Sequence, residues 1–363
     1  MSKIRSAPDS LIIVSTLLLL GIGLIMVYSA SAVLAFHNFG DSLFYLKRQF
    51  IFAVLGIIAL FATMNIDYWA WKKFAKAILL SGFIMLILVL IIGDVRGGAK
   101  SWLGVGSLGI QPSEFMKLAI VLYLAKFLVE RQTEISSFFK GLMPPLLLVG
   151  TSFALIMLQP DLGTGAVLVG ASIIVIYVAG AKISHLVSLA MIGVVGLVGL
   201  IITAPYRLKR ITGFLNPWED PLGSGYQIIQ SLYAIGPGGL VGLGLGRSRQ
   251  KYNYLPEPQT DFIFSIISEE LGFIGGSVVL LLFLILIWRG FRVAITAPDS
   301  FGSLLAVGII GIIGVQVMIN IGVVIGIFPV TGITLPLISA GGSSLTLLLT
   351  AIGILLNISR YSR

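Results

Sequence analysis

Apolar runs of roughly 17–25 residues recur from one end of the chain to the other, each long enough to cross a hydrocarbon layer of about 30 Å as a helix. Short polar breaks separate most of them. The pattern predicts about ten transmembrane helices, near residues 11–30, 47–64, 74–93, 113–129, 143–158, 162–179, 184–203, 267–288, 302–326 and 341–358. One long connection, about residues 204–266, falls between the seventh and eighth. The expected fold class is an all-α polytopic membrane protein, a single integral membrane domain over residues 1–363.

Lysine and arginine positions orient these helices, because cytoplasmic loops collect cations. With the N-terminus inside, the inner loops and ends hold Lys3, Arg5, Lys72, Lys73, Lys76, Lys126, Arg131, Lys140, Lys182, Arg289, Arg292, Arg360 and Arg363. The outer side, the long connection apart, holds Lys47, Arg48, Arg96, Lys100 and Lys117. The imbalance puts both termini in the cytoplasm and makes the long connection an extracellular loop. That loop carries Arg207, Lys209, Arg210, Arg247, Arg249 and Lys251, so many cations that they call for a separate explanation.

Composition agrees with the membrane reading and narrows the chemistry. The chain is 57% hydrophobic and 11% charged, with a mean hydropathy of +1.04, far from the roughly one-quarter charged residues of soluble domains. Lys3 and Arg5 ahead of the first apolar run imitate a secretory signal, but that run is longer than a signal core and is expected to be retained. Cysteine is absent, which excludes thiol nucleophiles and thiolate metal sites. Two histidines, His37 and His185, are too few for a zinc site built on histidine pairs. Neither a Walker A lysine motif nor a nucleic-acid module is present. The net charge of +9 is accounted for by loops lying beside anionic lipid.

A proline followed closely by an acid recurs where helices begin. Gln111-Pro112-Ser113-Glu114 opens the fourth span, Gln159-Pro160-Asp161 the sixth, and Pro258-Gln259-Thr260-Asp261 leads into the eighth. All three fall on the expected outer face. Proline suits a first helical turn, and an acid there satisfies free N–H groups and the positive end of the helix dipole. Capping is the simpler reading of Asp161, with a catalytic role left open. Glu114 and Lys117, three residues apart, are expected to pair, as charges inside a membrane must.

Asp261 invites more. Continued as a helix, Asp261, Ser265, Ser268 and Glu269 form one polar stripe, with cationic Arg247-Ser248-Arg249-Gln250-Lys251 just upstream. Such a stripe faces a polar ligand, a partner helix or, as a surface helix, water. Between Gly223 and Gly246 the chain alternates a helix-like stretch with a dense glycine run, permissive of close backbone approach or of flexibility, and only a weak phosphate-loop signal. Gln316 and Asn320 share a face of the ninth span, where packing between helices is the cheaper explanation. Pro329 to Ser344 (PVTGITLPLISAGGSS) is a broken approach to the tenth.

These segments resemble the SEDS proteins, the FtsW/RodA/SpoVE family, nearest its sporulation and Bacillus-type division branches. The likeness runs over essentially the whole chain. It rests on Val27 to Ser31, Ser101 to Gly104, Gln111 to Lys117 and Gln159 to Gly163, and above all on Asn216 to Pro221, Gly225 to Gly246, Pro256 to Gly272 and Pro329 to Ser344. The resemblance implies a ten-helix enzyme of the bacterial cytoplasmic membrane. It would polymerise lipid II into peptidoglycan on the outer face, inverting the sugar and releasing undecaprenyl pyrophosphate, beside a class B penicillin-binding protein. It also implies that the family's essential aspartate falls on Asp261, its loop tryptophan on Trp102, and its Glu/Lys pair on Glu114 and Lys117. Ala340 stands where the family commonly carries an aromatic residue.

On that reading Asp261 is the general base. Arg207, Arg210, Arg247, Arg249 and Lys251 are unranked candidates for the pyrophosphate, and Glu269 is a further substrate-facing group on the stripe. A divalent cation, Mg²⁺ or Mn²⁺, would be shared with the pyrophosphate, since no carboxylate cluster announces a metal site of its own. Two rival classes remain: a lipid II transporter, suggested by broken helices and intramembrane charges, and a non-catalytic scaffold for the transpeptidase. A transporter would place its polar groups at mid-membrane, whereas here they crowd one face. A scaffold would not require the stripe at Asp261.

Overall fold

The structure is a computed structural model that describes residues 6–96, 99–104, 109–202, 205–252 and 254–362. A helix occupies each of the predicted stretches: α1 (Ser10–Phe39), α2 (Phe44–Asn65), α3 (Tyr68–Ile92), α4 (Pro112–Glu130), α5 (Met143–Met157), α6 (Leu162–Val178) and α7 (Ile183–Ile202), then α10 (Ile263–Thr296), α11 (Ser300–Val324) and α12 (Gly342–Ser359). Among the described residues, seven helical stretches are long and apolar enough to cross a membrane. The chain is a multi-pass membrane protein. It departs from a purely helical one in a small antiparallel hairpin, β1 (Asp94–Arg96) with β2 (Ala99–Trp102), between α3 and α4.

Local chemistry sets the helix ends. The Asp9 carboxylate accepts from the Leu11 and Ile12 N–H groups at the start of α1, and Asp299 does the same for Gly302 in α11. Gly40 ends α1 in a left-handed conformation (φ 70). The helices α11 and α12 are buried over most of their length, with α2 against α12, and α6 and α10 against α11. The two chain ends meet at one end of the bundle: the Ser6 N–H donates to the Arg360 carbonyl, and Asp9 is ion-paired with Arg289 near the end of α10.

The long connection is more ordered than the sequence suggests. It holds α8 (Pro205–Leu215) and α9 (Tyr226–Ile235), with single turns at Pro217–Glu219 and Gly236–Gly238. The predicted polar stripe also changes character. The helix begins at Ile263, so Asp261 precedes it. The Ser265 hydroxyl pairs with Ser231 of α9 at 2.8 Å, and both are fully buried. The first turns of α10 are buried on every side, because α9 and the glycine run cover the face that would otherwise need water.

The glycine run is a splice across a broken helix. Gly272 interrupts α10 with a left-handed backbone (φ 66, ψ −166), which breaks the local ladder of hydrogen bonds. The run replaces it: Leu243 and Gly244 N–H donate to the Glu269 and Glu270 carbonyls, and Phe273 and Ile274 N–H donate to the Gly239 and Leu240 carbonyls. The two backbones approach so closely that a Cβ on Gly242 would lie 2.2 Å from the Glu270 carbonyl oxygen. Beside the splice lies a buried polar knot. Lys251 pairs with Glu270 at 3.2 Å, Ser29 of α1 donates to the same carboxylate, and Glu269 accepts from the Ser248 hydroxyl and the Arg249 N–H.

Close approach and backbone conformation can be separated by mutation. Gly246→Ala puts a Cβ in open space at φ 77, so it should cost only the left-handed penalty, about 1–2 kcal/mol. Gly242→Ala, at φ 81, carries the same penalty and must also push the splice apart. Thermal unfolding in detergent should show a clearly larger loss for Gly242→Ala, and equal losses would contradict the splice.

Candidate active site

Three helix beginnings and two irregular segments enclose a cavity of about 430 Å³ at the end of the bundle away from the chain termini. The N-terminal ends of α4, α6 and α12 contribute Gln111, Glu114, Asp161, Thr164, Gly341 and Ser344. The segment ahead of α10 contributes Glu257, Thr260 and Asp261, and the broken approach to α12 contributes Val330 to Thr334. Trp102 of the hairpin and Gln227 of α9 complete the mouth. Of the residues singled out from sequence, the structure brings together Trp102, Glu114, Lys117, Asp161 and Asp261.

The floor is one hydrogen-bonded chain. Lys117 and Glu114 pair at 2.8 Å and are nearly buried. The same ammonium donates to Gln316 Oε1 at 2.8 Å, and Gln316 Nε2 donates to the Thr334 carbonyl at 3.0 Å. The Ser344 hydroxyl donates to the other Glu114 oxygen at 2.7 Å. Each charge therefore has an opposite charge and a polar neighbour, which is what makes burial of the pair tolerable.

Asp161 is the N-cap of α6. Its carboxylate accepts from the Thr164 N–H at 3.0 Å, from Gln111 Nε2 at 3.0 Å and from the Ser113 hydroxyl at 3.3 Å. Burial pushes this carboxyl above its usual value, and the Thr164 N–H pulls in the opposite direction. The α12 beginning differs, since Gly341 provides no side-chain cap. Asp261 is half-buried and stands against Gly332, where a Cβ would lie 3.8 Å from its Oδ2.

The remaining candidates lie elsewhere. Glu269 and Lys251 belong to the buried knot under the glycine splice and do not line the cavity. Arg247 and Arg249 are exposed on the loop above that knot. The side chains of Arg207 and Arg210 lie outside the described residues. Among the described residues, Lys117 is the one cation that lines the cavity, beside the carboxylates Glu114, Asp161, Glu257 and Asp261. Those carboxylates do not form a cage for Mg²⁺ or Mn²⁺: among the described residues no three acidic or histidine groups converge, and Glu114 and Asp161 are already engaged.

In the sequence, packing is the cheaper explanation of Gln316 and Asn320, and Gln111, Thr334 and Ser344 stand out only as members of longer segments. Their signal was present: two carboxamides four residues apart in an otherwise apolar helix imply polar partners at that depth. The partners are main-chain groups of distant segments, which no local pattern reveals. Ala340, the departure from the family pattern, lines the cavity, and its N–H donates to the Gln259 carbonyl.

Comparison with known proteins extends over the full length. Residues 9–363 match the FtsW/RodA/SpoVE family of cell cycle proteins. The chain is 63% identical to the Stage V sporulation protein E of Bacillus subtilis, covering 100% of both chains. It is 42% identical to the probable peptidoglycan glycosyltransferase FtsW of a Geobacter species, over 98% of this chain and 97% of that one. Among solved structures it resembles a chain from a peptidoglycan synthase complex that coordinates polymerization and crosslinking, with a TM-score of 0.79, 32% identity and 98% of each chain covered. The Rod shape determining protein RodA of Thermus thermophilus gives a TM-score of 0.74 at 28% identity, over 98% of this chain and 97% of that one.

The floor makes its own test. Glu114→Gln or Lys117→Met alone strands a buried charge, so each should lower stability by about 3–5 kcal/mol. The double substitution removes both charges and should recover part of the folded yield in detergent. A double variant no better than the worse single one would argue against direct pairing.

Proposed function

The chain belongs to the FtsW/RodA/SpoVE family, and on that premise we propose that it is a peptidoglycan glycosyltransferase that polymerises lipid II into glycan strands. The observation that carries the reading is the placement of Asp261. It is a half-buried carboxylate in a polar cavity, set across from the beginnings of α4, α6 and α12. In this reading ten helices cross the bacterial cytoplasmic membrane, both termini are cytoplasmic, and the cavity opens on the extracytoplasmic side. The cation imbalance of the loops supports that orientation.

The reaction joins a sugar hydroxyl of one chain to the anomeric carbon of another. As the new C–O bond forms, Asp261 takes the hydroxyl proton, and the bond to the lipid pyrophosphate breaks with its electron pair going to the departing oxygen. One displacement of this kind inverts the anomeric centre. The undecaprenyl pyrophosphate leaves with growing negative charge. Helix N-termini present N–H groups and positive dipole ends, and the uncapped start of α12, with Lys117 beneath, is suited to receive it.

A crosslinking partner of the class B penicillin-binding type is part of the proposal, supported by the likeness to a chain from a synthase complex. The 63% identity to a sporulation protein, against 42% to an FtsW, favours use in spore cortex synthesis over division. A lipid II transporter is less suited to this geometry, because the polar residues gather at helix ends on one side of the bundle.

Asp261→Asn tests the chemistry. The substitution keeps the shape, and Asp261 is not the cap of α10, so the melting temperature should hold. An amide cannot take up the proton, and polymer formation from labelled lipid II should fall by about 10²–10⁴-fold. Lipid II binding should persist. Normal polymer yield would remove Asp261 as the base.

A further inference from the structure

Asp261 lies two residues ahead of α10 in the irregular segment 256–262, and the wall facing it, 329–341, is irregular as well. Neither has a helix or sheet of its own to fix it. What fixes both is α11. The amide nitrogen of Asn320, a residue only 1% exposed, donates to the Asp261 carbonyl at 2.8 Å and to the Ile333 carbonyl at 2.7 Å. Two carbonyl acceptors settle which end of the carboxamide is nitrogen. Around this point the segments are also tied to each other: the Ser339 hydroxyl donates to the Thr260 carbonyl at 2.6 Å, and the Ala340 N–H to the Gln259 carbonyl at 2.9 Å. Each segment contains a non-glycine residue held in left-handed backbone, Glu257 (φ 50) and Leu337 (φ 64). Such conformations persist where the surroundings over-determine them.

We infer that Asn320 is a positioning residue for the reaction, a clip that sets Asp261 against the cavity wall. Its bonds go to main-chain carbonyls, so it places the carboxylate without contributing charge to it. A primary amide is suited to this task because one nitrogen carries two protons. Serine has one proton to give, lysine would bring a charge, and glutamine is a methylene longer. Packing alone does not explain the residue: a buried carboxamide whose oxygen accepts no hydrogen bond from the protein is a poorer space-filler than leucine. The inference rests on Asp261 serving as the base, and it goes further by naming what holds the base in register.

The test compares Asn320→Leu, which fills the space without donors, with Asn320→Asp, which keeps the shape but has no proton to donate when ionised and one when neutral. Asp261→Asn serves as the reference. Polymerisation kinetics with lipid II, pH–rate profiles and thermal unfolding are measured on each. Misplacing a reacting group by an ångström costs about 10²-fold, so kcat should fall by about that much in Asn320→Leu, with KM little changed. The rate of Asn320→Asp relative to wild type should rise as pH falls, because the neutral acid restores one donor. A wild-type kcat in Asn320→Leu, or an Asn320→Asp profile parallel to wild type, overturns the clip. So does a rate loss in both variants that merely tracks loss of folded protein. If Asp261→Asn still polymerises, it is the assignment of the base that fails. If Asp261→Asn is inactive while Asn320→Leu runs at full rate, only the clip fails.

Discussion

Irregular backbone in an apolar slab has no water to satisfy its N–H and C=O groups, and the segments that build this cavity are irregular. Such groups need partners inside the protein or in the cavity itself, and much of the architecture follows from where the protein's partners are. On one side, α11 offers two carboxamides a turn apart. Gln316 reaches the Thr334 carbonyl and Lys117, and Asn320 reaches the Asp261 and Ile333 carbonyls. From α2, Gln49 donates to the Ser339 carbonyl and accepts from the Gly341 N–H. On the other side, the glycine run supplies the hydrogen bonds that α10 loses at Gly272. The cavity is walled by helix beginnings and irregular segments that neighbouring helices hold in place, and the splice at Gly272 applies the same device to α10.

That arrangement shapes the electrostatics. Helices that begin at the cavity bring their positive ends to it, and the carboxylates Glu114 and Asp161 are spent on structure: one against Lys117 and Ser344, the other on the Thr164 N–H of α6 and on Gln111. Asp261 differs in not being the cap of the helix it precedes, with its main chain held by α11 and its carboxylate against Gly332. The proposed base is thus positioned through its main chain, while its residue lines the cavity. The knot of Lys251, Glu269 and Glu270 plays the complementary part, anchoring the loop that carries the glycine splice.

Much of this was legible in the sequence, and the parts that were not share one cause. Long apolar runs located the helices, because burial in lipid is a one-dimensional property of a segment. The proline-and-acid starts pointed to the right ends of α4 and α6, because capping is local. What the stripe of Ser265, Ser268 and Glu269 faces stayed open between ligand, partner helix and water, since it is decided by α9 and the glycine run, which fold back onto it. The cations of the long connection were a similar case: Lys251 is a partner for Glu270, outside the cavity lining. Asn320 was discounted for the same reason. Its partners are carbonyls 59 and 13 residues away, and tertiary main-chain contacts leave no mark in a local pattern.

The central claim is that this cavity holds the sugar end of the lipid-linked substrate. The most direct measurement places a photo-crosslinking residue at Thr331, in the cavity wall, and separately at Gln132, beside a cleft at the opposite end of the bundle. Each protein is irradiated with labelled lipid II while it still polymerises. The account predicts an adduct from position 331 that unlabelled lipid II competes away, and none from position 132. Equal labelling at both positions, or none at 331 in an active protein, would contradict it.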